Sequence, residues 1–331
     1  MLILKCKIII YGKDNKKITF DYVSSVEIVT SITDLTDTAK IVVPRKIQWK
    51  EQPLTKYINR GDKIEIQLGY ENNNIETVFT GYIKTITSRT RITIECENEM
   101  WQLKQKPVPA QICAQFDFEI FMKKYAADVN VVLPNKEKLN FGEVKIGKDV
   151  NVANVLEQLK KNNPFYSFFR ENKLYAIMGQ TALNETGSFK HIIFNAQKNI
   201  INCESLKYTH ADDVNVRVKA ISILANNKRL AVEVPDKKTD GELRTFHDSR
   251  YKTEPELRKY AELKLAELKV DNISGSFTAF GIPFVRKADR VTIFDKINAD
   301  IDGKVFNVKS VKYNFGEQGY RQTIELGDKY K

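Results

Sequence analysis

The sequence predicts a mainly β fold with an α+β insertion, in which two tube-like β-barrel domains flank a small α/β module. Three observations predict it: apolar residues alternate with period two in the first third, shift to helical spacing in the middle, and return to period two afterwards. The expected domains cover residues 1–106, 107–198 and 199–331, and the last contains one long helix at 253–270. A chain of 331 residues is long enough for two or three domains with sizeable cores.

In the first domain, short apolar strands are separated by turn residues. The polar residues 71–74 are typical of a hairpin loop between two of these strands. Pro107 and Pro109 mark the end of the domain, because proline lacks the amide hydrogen that continued strand pairing needs. The expected strands include residues 8–10, 26–28, 39–43, 64–68, 78–86 and 92–96.

The middle segment is expected to contain two amphipathic helices and short strands at 130–133 and 174–177. Asp117 is a suitable N-cap for the first helix, and the second ends before Pro164. The apolar stripes are Phe118, Phe121, Met122 and Tyr125 in the first helix and Val152, Val155, Leu156 and Leu159 in the second. These stripes need each other or the flanking barrels for burial, which favours a small α/β module.

Strand patterns return after about residue 200, and one strong helix interrupts them. Thr253-Glu254-Pro255-Glu256 combines a capping box with a proline at an early helical position. The buried stripe of this helix is formed by Leu257, Tyr260, Ala261, Leu263, Leu265, Ala266 and Leu268. Further strands then complete the chain.

Two segments share a pattern that simple alternation does not require. In each, an acidic residue opens a strand, a glycine admits the partner strand, and a third strand closes the sheet. The first copy begins at Gly61-Asp62 and the second at Ala288-Asp289, where alanine replaces the first glycine. The residues that define the repeat are Gly61, Asp62, Gly81, Asp289 and Gly303. The pattern therefore predicts a duplicated barrel.

These residues also carry a family resemblance. The run Gly61-Asp62-Lys63-Ile64, the segment 78–83 and the strand into Cys96-Glu97-Asn98 resemble the first domain of phage tail baseplate hub proteins, the late-control-D type of contractile tails and related injection systems. The last third, with its capped helix before Gly281-Ile282-Pro283 and its ending at 319–327, is similar to the second tube-like domain of that family. The resemblance covers nearly the whole chain in domain order.

The resemblance implies a trimer that forms a ring around a central channel. Two tube-like domains per subunit would give pseudo-sixfold symmetry, which matches the hexameric tail tube on one side while a trimeric spike docks on the other. The implied partners are the chain itself, the tail tube protein, the spike protein and other baseplate proteins, with DNA or another cargo passing through the channel. Because the chain ends soon after the second barrel, the spike is expected to be a separate chain.

Composition restricts the location and the partners. The early apolar stretches are too short to span a bilayer, and Lys5-Cys6-Lys7 interrupts any signal-peptide core. We therefore expect synthesis in the bacterial cytoplasm without a signal peptide, and a final location in a virion tail baseplate or tail-like particle. The formal net charge of +11 suits an anionic partner, but the lysines are spread along the whole chain, which favours a solubilising surface.

Several groups of neighbouring residues contain side chains that can bind metals or act as catalysts. His210 with Asp212 and Asp213 contains metal-ligand types, but adjacent carboxylates on a strand point to opposite faces, which favours an exposed turn. His247-Asp248-Ser249 contains triad residue types, yet triad members meet through the fold and not as sequence neighbours. The four cysteines are scattered without a C-x-x-C pair, which argues against a disulfide framework or a zinc ribbon.

Three acidic residues, Glu95, Glu97 and Glu99, alternate along one expected strand face. Catalytic use as paired carboxylates is one interpretation, and a salt-bridged wall with opposing lysines is the favoured one. No phosphate-binding loop, dinucleotide fingerprint or zinc-protease helix motif occurs. We therefore predict no enzymatic activity, no cofactor, and no catalytic, cofactor-binding or metal-binding residues. Two rival hypotheses stay open: a monomeric surface-binding module and a tail-associated cell-wall hydrolase.

Overall fold

The architecture is described by a computed structural model. It describes residues 3–12, 16–71, 75–134, 139, 141–163, 165–178, 189–209, 215–224, 228–235, 241–248, 251–268 and 272–329.

Strands account for most of the regular structure, so the predicted mainly β fold is confirmed. The helices are α1 (Met100–Lys104), α2 (Phe118–Tyr125), α3 (Val152–Asn162) and α4 (Glu254–Leu268), with a short 3-10 turn at Leu54–Lys56. The strands are β1 (Leu4–Tyr11), β2 (Lys17–Phe20), β3 (Ser25–Ser31), β4 (Thr38–Pro44), β5 (Gln48–Trp49), β6 (Gln52–Pro53), β7 (Lys63–Tyr70), β8 (Glu76–Ser88), β9 (Arg91–Glu97), β10 (Pro107–Val108), β11 (Gln111–Cys113), β12 (Asn130–Val132), β13 (Val144–Ile146), β14 (Val150–Asn151), β15 (Phe165–Arg170), β16 (Lys173–Met178), β17 (His191–Asn195), β18 (Ile200–Asn202), β19 (Lys207–Thr209), β20 (Val216–Ile223), β21 (Arg229–Val234), β22 (Glu242–His247), β23 (Asn272–Ser274), β24 (Ser276–Phe280), β25 (Arg290–Phe294), β26 (Lys304–Gly316) and β27 (Gly319–Lys329).

The chain forms two compact units. Unit 1 contains residues 1–205 and 276–331, and unit 2 contains residues 206–275. Unit 2 therefore lies in the connection between β18 and β24. The domain ranges 1–106, 107–198 and 199–331 stay a prediction.

A 13-stranded sheet dominates unit 1. Eleven of its strands follow the order β18-β24-β27-β26-β3-β4-β9-β8-β7-β1-β2, and β25 pairs with both β26 and β17. Apolar residues alternate along these strands, and their buried face includes Ile8, Ile28, Ile41, Ile64 and Ile94, each with no exposed surface. Period-two alternation in the sequence thus corresponds to a sheet with one face in the core.

Five strands of this sheet occur twice with the same connectivity. In the first copy β3, β4, β7, β8 and β9 have the spatial order β3-β4-β9-β8-β7. In the second copy β18, β24, β25, β26 and β27 have the matching order β18-β24-β27-β26-β25. Both copies also carry a one-residue β-bulge at the same point of the long strand, with Lys84 and Lys309 as the extra residues. The duplication predicted from the sequence is therefore present in the strand topology.

The two copies are joined edge to edge. The end of β26 pairs antiparallel with β3, from Ser310 opposite Ser31 to Gly316 opposite Ser25. We call this pairing the internal join. Because the join hydrogen-bonds strands that are far apart in sequence, both copies belong to one continuous sheet.

The middle segment of unit 1 has its own apolar core, to which α2 and α3 contribute. Both helices begin where the sequence predicts. The carboxylate of Asp117 accepts a hydrogen bond from the amide of Ile120, and Asn151 forms a reciprocal capping box with Asn154. Buried members of the predicted stripes include Phe118, Phe121, Val152 and Leu156.

Unit 2 contains the helix that the sequence predicts at 253–270. This helix, α4, packs on the three-stranded sheet β21-β20-β22, and Leu257 and Ala261 are fully buried in their shared core. The amide of Thr253 donates to Glu256, which is one of the two hydrogen bonds of the predicted capping box. None of the described helices is long and apolar enough to cross a membrane.

Candidate functional site

The acidic residues of the two repeat turns make the same contact. Oδ2 of Asp62 accepts a hydrogen bond from the amide of Asn59 at 2.7 Å, and Oδ2 of Asp289 accepts one from the amide of Arg286 at 2.8 Å. Both aspartates are buried. Each carboxylate therefore stabilises the turn that precedes its strand, β7 or β25.

The backbone of the two turns also matches. The amide of Ile83 donates to the carbonyl of Asp62 at 2.9 Å, and the amide of Val308 donates to the carbonyl of Asp289 at 2.7 Å. The residue before each aspartate has a left-handed backbone, with φ of +88° at Gly61 and +67° at Ala288. The second turn therefore has the same conformation with alanine at residue 288, although this left-handed backbone favours glycine.

This difference predicts unequal effects of two substitutions on stability. Gly61→Ala is expected to lower the free energy of unfolding by about 1–2 kcal/mol, because the left-handed conformation destabilises an L-residue by about that amount. Ala288→Gly removes the same strain but also removes a buried methyl group worth about 0.8 kcal/mol, so its effect should be near zero. Urea unfolding of both variants measures the difference. Equal losses in the two variants would contradict the role of the left-handed turn.

The two remaining repeat glycines do not occupy equivalent positions. Gly81 lies inside β8 opposite Ile64, and the residue at the same place in the second copy is Phe306, opposite Val291. Gly303 instead precedes β26 in a turn with φ of +69°, and its amide donates to the carbonyl of Ile293. The two glycines therefore have different roles. Gly81 allows the close approach of β8 and β9, and Gly303 allows a turn with a left-handed backbone.

Two buried ion pairs lie next to the second repeat turn. Nζ of Lys287 contacts both carboxylate oxygens of Asp37, at 2.6 and 2.7 Å, and the carbonyl of Ser31 at 3.2 Å. The guanidinium of Arg170 donates to Oδ1 of Asp289 at 2.7 Å and to the carbonyl of Lys287 at 2.7 Å. These pairs connect the β3–β4 turn, the end of β15 and the turn before β25. We call these four side chains the buried ion cluster.

The buried ion cluster borders a cavity of about 360 Å³ whose lining also includes Glu99 and Arg286. Burial lowers the pKa of Lys287, although the Asp37 carboxylate opposes this shift. Three acceptor oxygens already surround its ammonium group, and Arg286 is bound to Glu171 at 2.7 Å. Since these cations are held by internal partners, the arrangement suits a structural role at the meeting point of three chain segments.

The alternating acids Glu95, Glu97 and Glu99 have separate environments. Glu97 is buried and accepts hydrogen bonds from Lys104 at 2.6 Å and Lys84 at 2.7 Å. Glu95 is exposed opposite a lysine of β4, and Glu99 accepts from the hydroxyl of Thr80. Lysines therefore oppose Glu95 and Glu97, as the salt-bridged interpretation requires, whereas a threonine hydroxyl binds Glu99.

The Glu97 contacts predict a dependence of stability on pH. Burial raises the pKa of Glu97, but hydrogen bonds from Lys104 and Lys84 outweigh it and hold the pKa below the usual value. Its stabilising effect is thus present above the pKa of an unfolded glutamate and lost as the pH falls through the folded pKa. We expect the wild type to lose more stability than Glu97→Gln between neutral and acidic pH, measured by denaturant unfolding. The exposed Glu204→Gln is the control and should lose as much stability as the wild type, whereas a wild-type loss in Glu97→Gln would contradict the assignment.

Most of the other candidate residues lie outside the part of the chain that the structure describes. His210, Asp212 and Asp213 lie outside the described residues, as does Ser249. Within the described ranges, no group of three or more potential ligands could hold a metal ion. No sequence pattern marks Asp37, Arg170 or Lys287, because a charged residue that becomes buried through contacts with distant segments leaves no local pattern.

Solved structures with a similar fold are known, although sequence comparisons find no match. No family model matches the chain, and no curated protein matches its sequence. Among solved structures, a tail protein from Neisseria meningitidis MC58 is 15% identical, with a TM-score of 0.66 over 97% of this chain and 96% of that one. The 43 kDa tail protein of prophage MuSo2 from Shewanella oneidensis is 13% identical, with a TM-score of 0.65 over 98% of both chains.

A chain of the Francisella PdpA–VgrG complex is 12% identical, with a TM-score of 0.60 over 99% of this chain and 58% of that one. All three similarities extend over nearly the whole chain, so they include both strand copies and the segments between them. This chain therefore has the fold of phage tail proteins and of a chain of the PdpA–VgrG complex.

Proposed function

We propose that this chain is a structural subunit of a phage tail or a related injection apparatus, and that it acts as the baseplate hub. The observation that supports this most is the duplicated five-strand unit joined edge to edge within one chain. A ring of three such chains would present six similar units. It would thus match a hexameric tail tube on one side and a trimeric spike on the other, since symmetric assemblies reuse equivalent surfaces.

The mechanism in this proposal is geometric. The buried ion pairs among the described residues support it, because Lys287 binds Asp37 and Arg170 binds Asp289, which suits a structural role. The proposed partners are the tail tube protein, the spike protein and other baseplate proteins. DNA or another cargo would pass through the central channel. The proposed location is the tail of a virion or tail-like particle.

The experiment that tests this proposal measures the mass of the purified chain in solution and images the particles by electron microscopy. We expect three chains in a ring with six similar lobes around an opening. A chain that stays monomeric, also when mixed with candidate tube and spike proteins, would overturn the proposal. Release of fragments from purified peptidoglycan would favour the cell-wall hydrolase instead.

A further inference from the structure

Four exposed cations meet at one end of the large sheet. Arg45 and Lys46 directly follow β4, Arg89 lies in the turn between β8 and β9, and Arg91 begins β9. Because Pro44 pairs with Arg91, the residues that follow β4 lie beside this turn. The fold therefore brings together two pairs of cations that are distant in the sequence. We call Arg45, Lys46, Arg89 and Arg91 the basic tip.

The side chains of the basic tip have no partner within the part of the chain that the structure describes. No hydrogen bond, ion pair or ring contact joins them to another described residue. The other described arginines of unit 1 each have such a contact: Arg60, Arg170, Arg286, Arg290 and Arg321. Residues 41–50 and 84–94 contain no acidic residue, so the chain around the tip supplies no local counter-charge.

The second strand copy shows that the repeated fold does not require these charges. Its corresponding turn, between β26 and β27, consists of Glu317 and Gln318 and carries no cation. In the segment after β24, which corresponds to β4, the cations Arg286 and Lys287 are bound to internal carboxylates. The basic tip is therefore a feature of the first copy alone, and its charge is available to an anionic partner.

The residues around the tip favour a phosphate backbone over an acidic protein surface as that partner. Thr87, Ser88 and Thr90 are exposed beside the arginines. Arginine, lysine, serine and threonine are side chains that bind nucleic-acid phosphates, and a guanidinium can bind two phosphate oxygens at once. A protein interface instead has an apolar, aromatic centre, and residues 87–91 contain no apolar side chain.

An exposed aromatic ring lies at the same end of the sheet. The amide of Ser24, just before β3, donates to the carbonyl of Val42 near the end of β4. Tyr22 precedes Ser24 by two residues and is 66% exposed. Unpaired bases stack on exposed aromatic rings, whereas the bases of a duplex are already stacked on each other. Tyr22 should therefore contribute to the binding of single strands only.

We propose that the basic tip binds the phosphate backbone of nucleic acid without reading its sequence, and that Tyr22 stacks on an unpaired base. Contacts to phosphates position a nucleic acid but carry no sequence information, so binding should tolerate any sequence and weaken as salt is added. The inference does not depend on the hub proposal, because the tip is formed within one chain and its binding needs no second copy.

Fluorescence anisotropy of a short labelled DNA duplex, titrated with the full chain at several salt concentrations, tests the phosphate contacts. The test variant combines Arg45→Gln, Arg89→Gln and Arg91→Gln. Three lost contacts should lower the slope of log affinity against log salt by about 2.7. Between about 50 and 200 mM salt, the wild type should therefore lose about 40-fold more affinity than this variant.

The matched control removes the same number of charges from exposed lysines elsewhere in unit 1. It combines Lys123→Gln, Lys148→Gln and Lys173→Gln, and it should keep the salt dependence of the wild type. Equal behaviour of the two triple variants would overturn the proposal, as would a wild type that binds no DNA at low salt. Displacement of DNA by poly-L-glutamate as effectively as by unlabelled DNA at equal charge would overturn it in favour of an acidic protein partner.

Tyr22→Ala tests the stacking. It should weaken the binding of a labelled single strand by about fivefold or more and leave the binding of the duplex unchanged. An unchanged affinity for the single strand, or an equal loss with both DNAs, would overturn the role of Tyr22. Far-UV circular dichroism and thermal unfolding establish that each variant is folded before it is titrated.

These outcomes are distinguishable from those of the hub experiment. A trimeric ring that binds no DNA would overturn this inference and leave the hub proposal standing. Salt-dependent DNA binding that requires the three arginines, in a chain that stays monomeric with its candidate partners, would support this inference while the hub proposal failed.

Discussion

Replacement of Asp37 by alanine is expected to lower the free energy of unfolding by about 3–5 kcal/mol, because the change leaves a buried charge without its partner. The side chains of Asp37 and Lys287 are only 7% and 5% exposed, and Nζ of Lys287 lies 2.6 Å from Oδ2 of Asp37. Without the carboxylate, the lysine must either stay charged in the core or release its proton. Guanidinium chloride unfolding followed by circular dichroism measures the loss.

Two controls define the cause of that loss. The exposed pair of Lys312 and Glu27, at 3.1 Å, is broken by Glu27→Ala and should cost under about 1 kcal/mol, because solvent screens surface ion pairs. The double variant Asp37→Ala with Lys287→Met removes both buried charges and should recover much of the stability. If Asp37→Ala lost no more stability than Glu27→Ala, the buried ion cluster would not hold the three segments together.

Gly81→Ala should lower the free energy of unfolding by about 3 kcal/mol, the upper end of the usual range for overpacking a core. A β-carbon at Gly81 would lie 2.2 Å from the carbonyl oxygen of Glu97 and 2.9 Å from Cα of Asn98. Both obstacles are backbone atoms, so no side-chain rotation relieves the clash, and β8 and β9 must separate at this point. Denaturant unfolding gives the magnitude.

Gly12→Ala is the matched control for Gly81→Ala. A β-carbon at Gly12 would meet its nearest neighbour, the carbonyl oxygen of Tyr57, at 3.6 Å, which is an ordinary contact. We expect its stability to change far less than that of Gly81→Ala. Similar losses in the two variants would show that the close approach of β8 and β9 does not restrict residue 81.

Local patterns predicted the elements of this fold because local contacts determine them. Period-two alternation identified the strands of the large sheet, and the spacing of Phe118, Phe121 and Met122 identified a helix that the structure begins at Phe118. Asp117 caps its helix as expected, and the amide of Thr253 donates to Glu256 at the start of α4. The repeat was visible because both copies need an aspartate that accepts from the amide three residues earlier.

Distant contacts could not be predicted in this way. Lys287 meets Asp37 across 250 residues, and no periodicity marks either as buried. The internal join was equally invisible, since pairing of β3 with β26 depends on which strand edges stay free after each copy has formed. Gly303 resembles Gly81 in the sequence. Only the strand register shows that Phe306, and not Gly303, occupies the position equivalent to Gly81.

The position of unit 2 has a consequence for how this protein can diversify. In the first copy a short turn at residues 32–37 links β3 to β4, whereas in the second copy the corresponding link between β18 and β24 contains residues 206–275. Unit 2 begins and ends with strands β19 and β23, which pair with each other, so the chain enters and leaves through neighbouring points. Domain insertion is tolerated where the two ends of the inserted module lie close together. The link is therefore a natural point for exchanging or displaying whole domains while the sheet around it keeps its register.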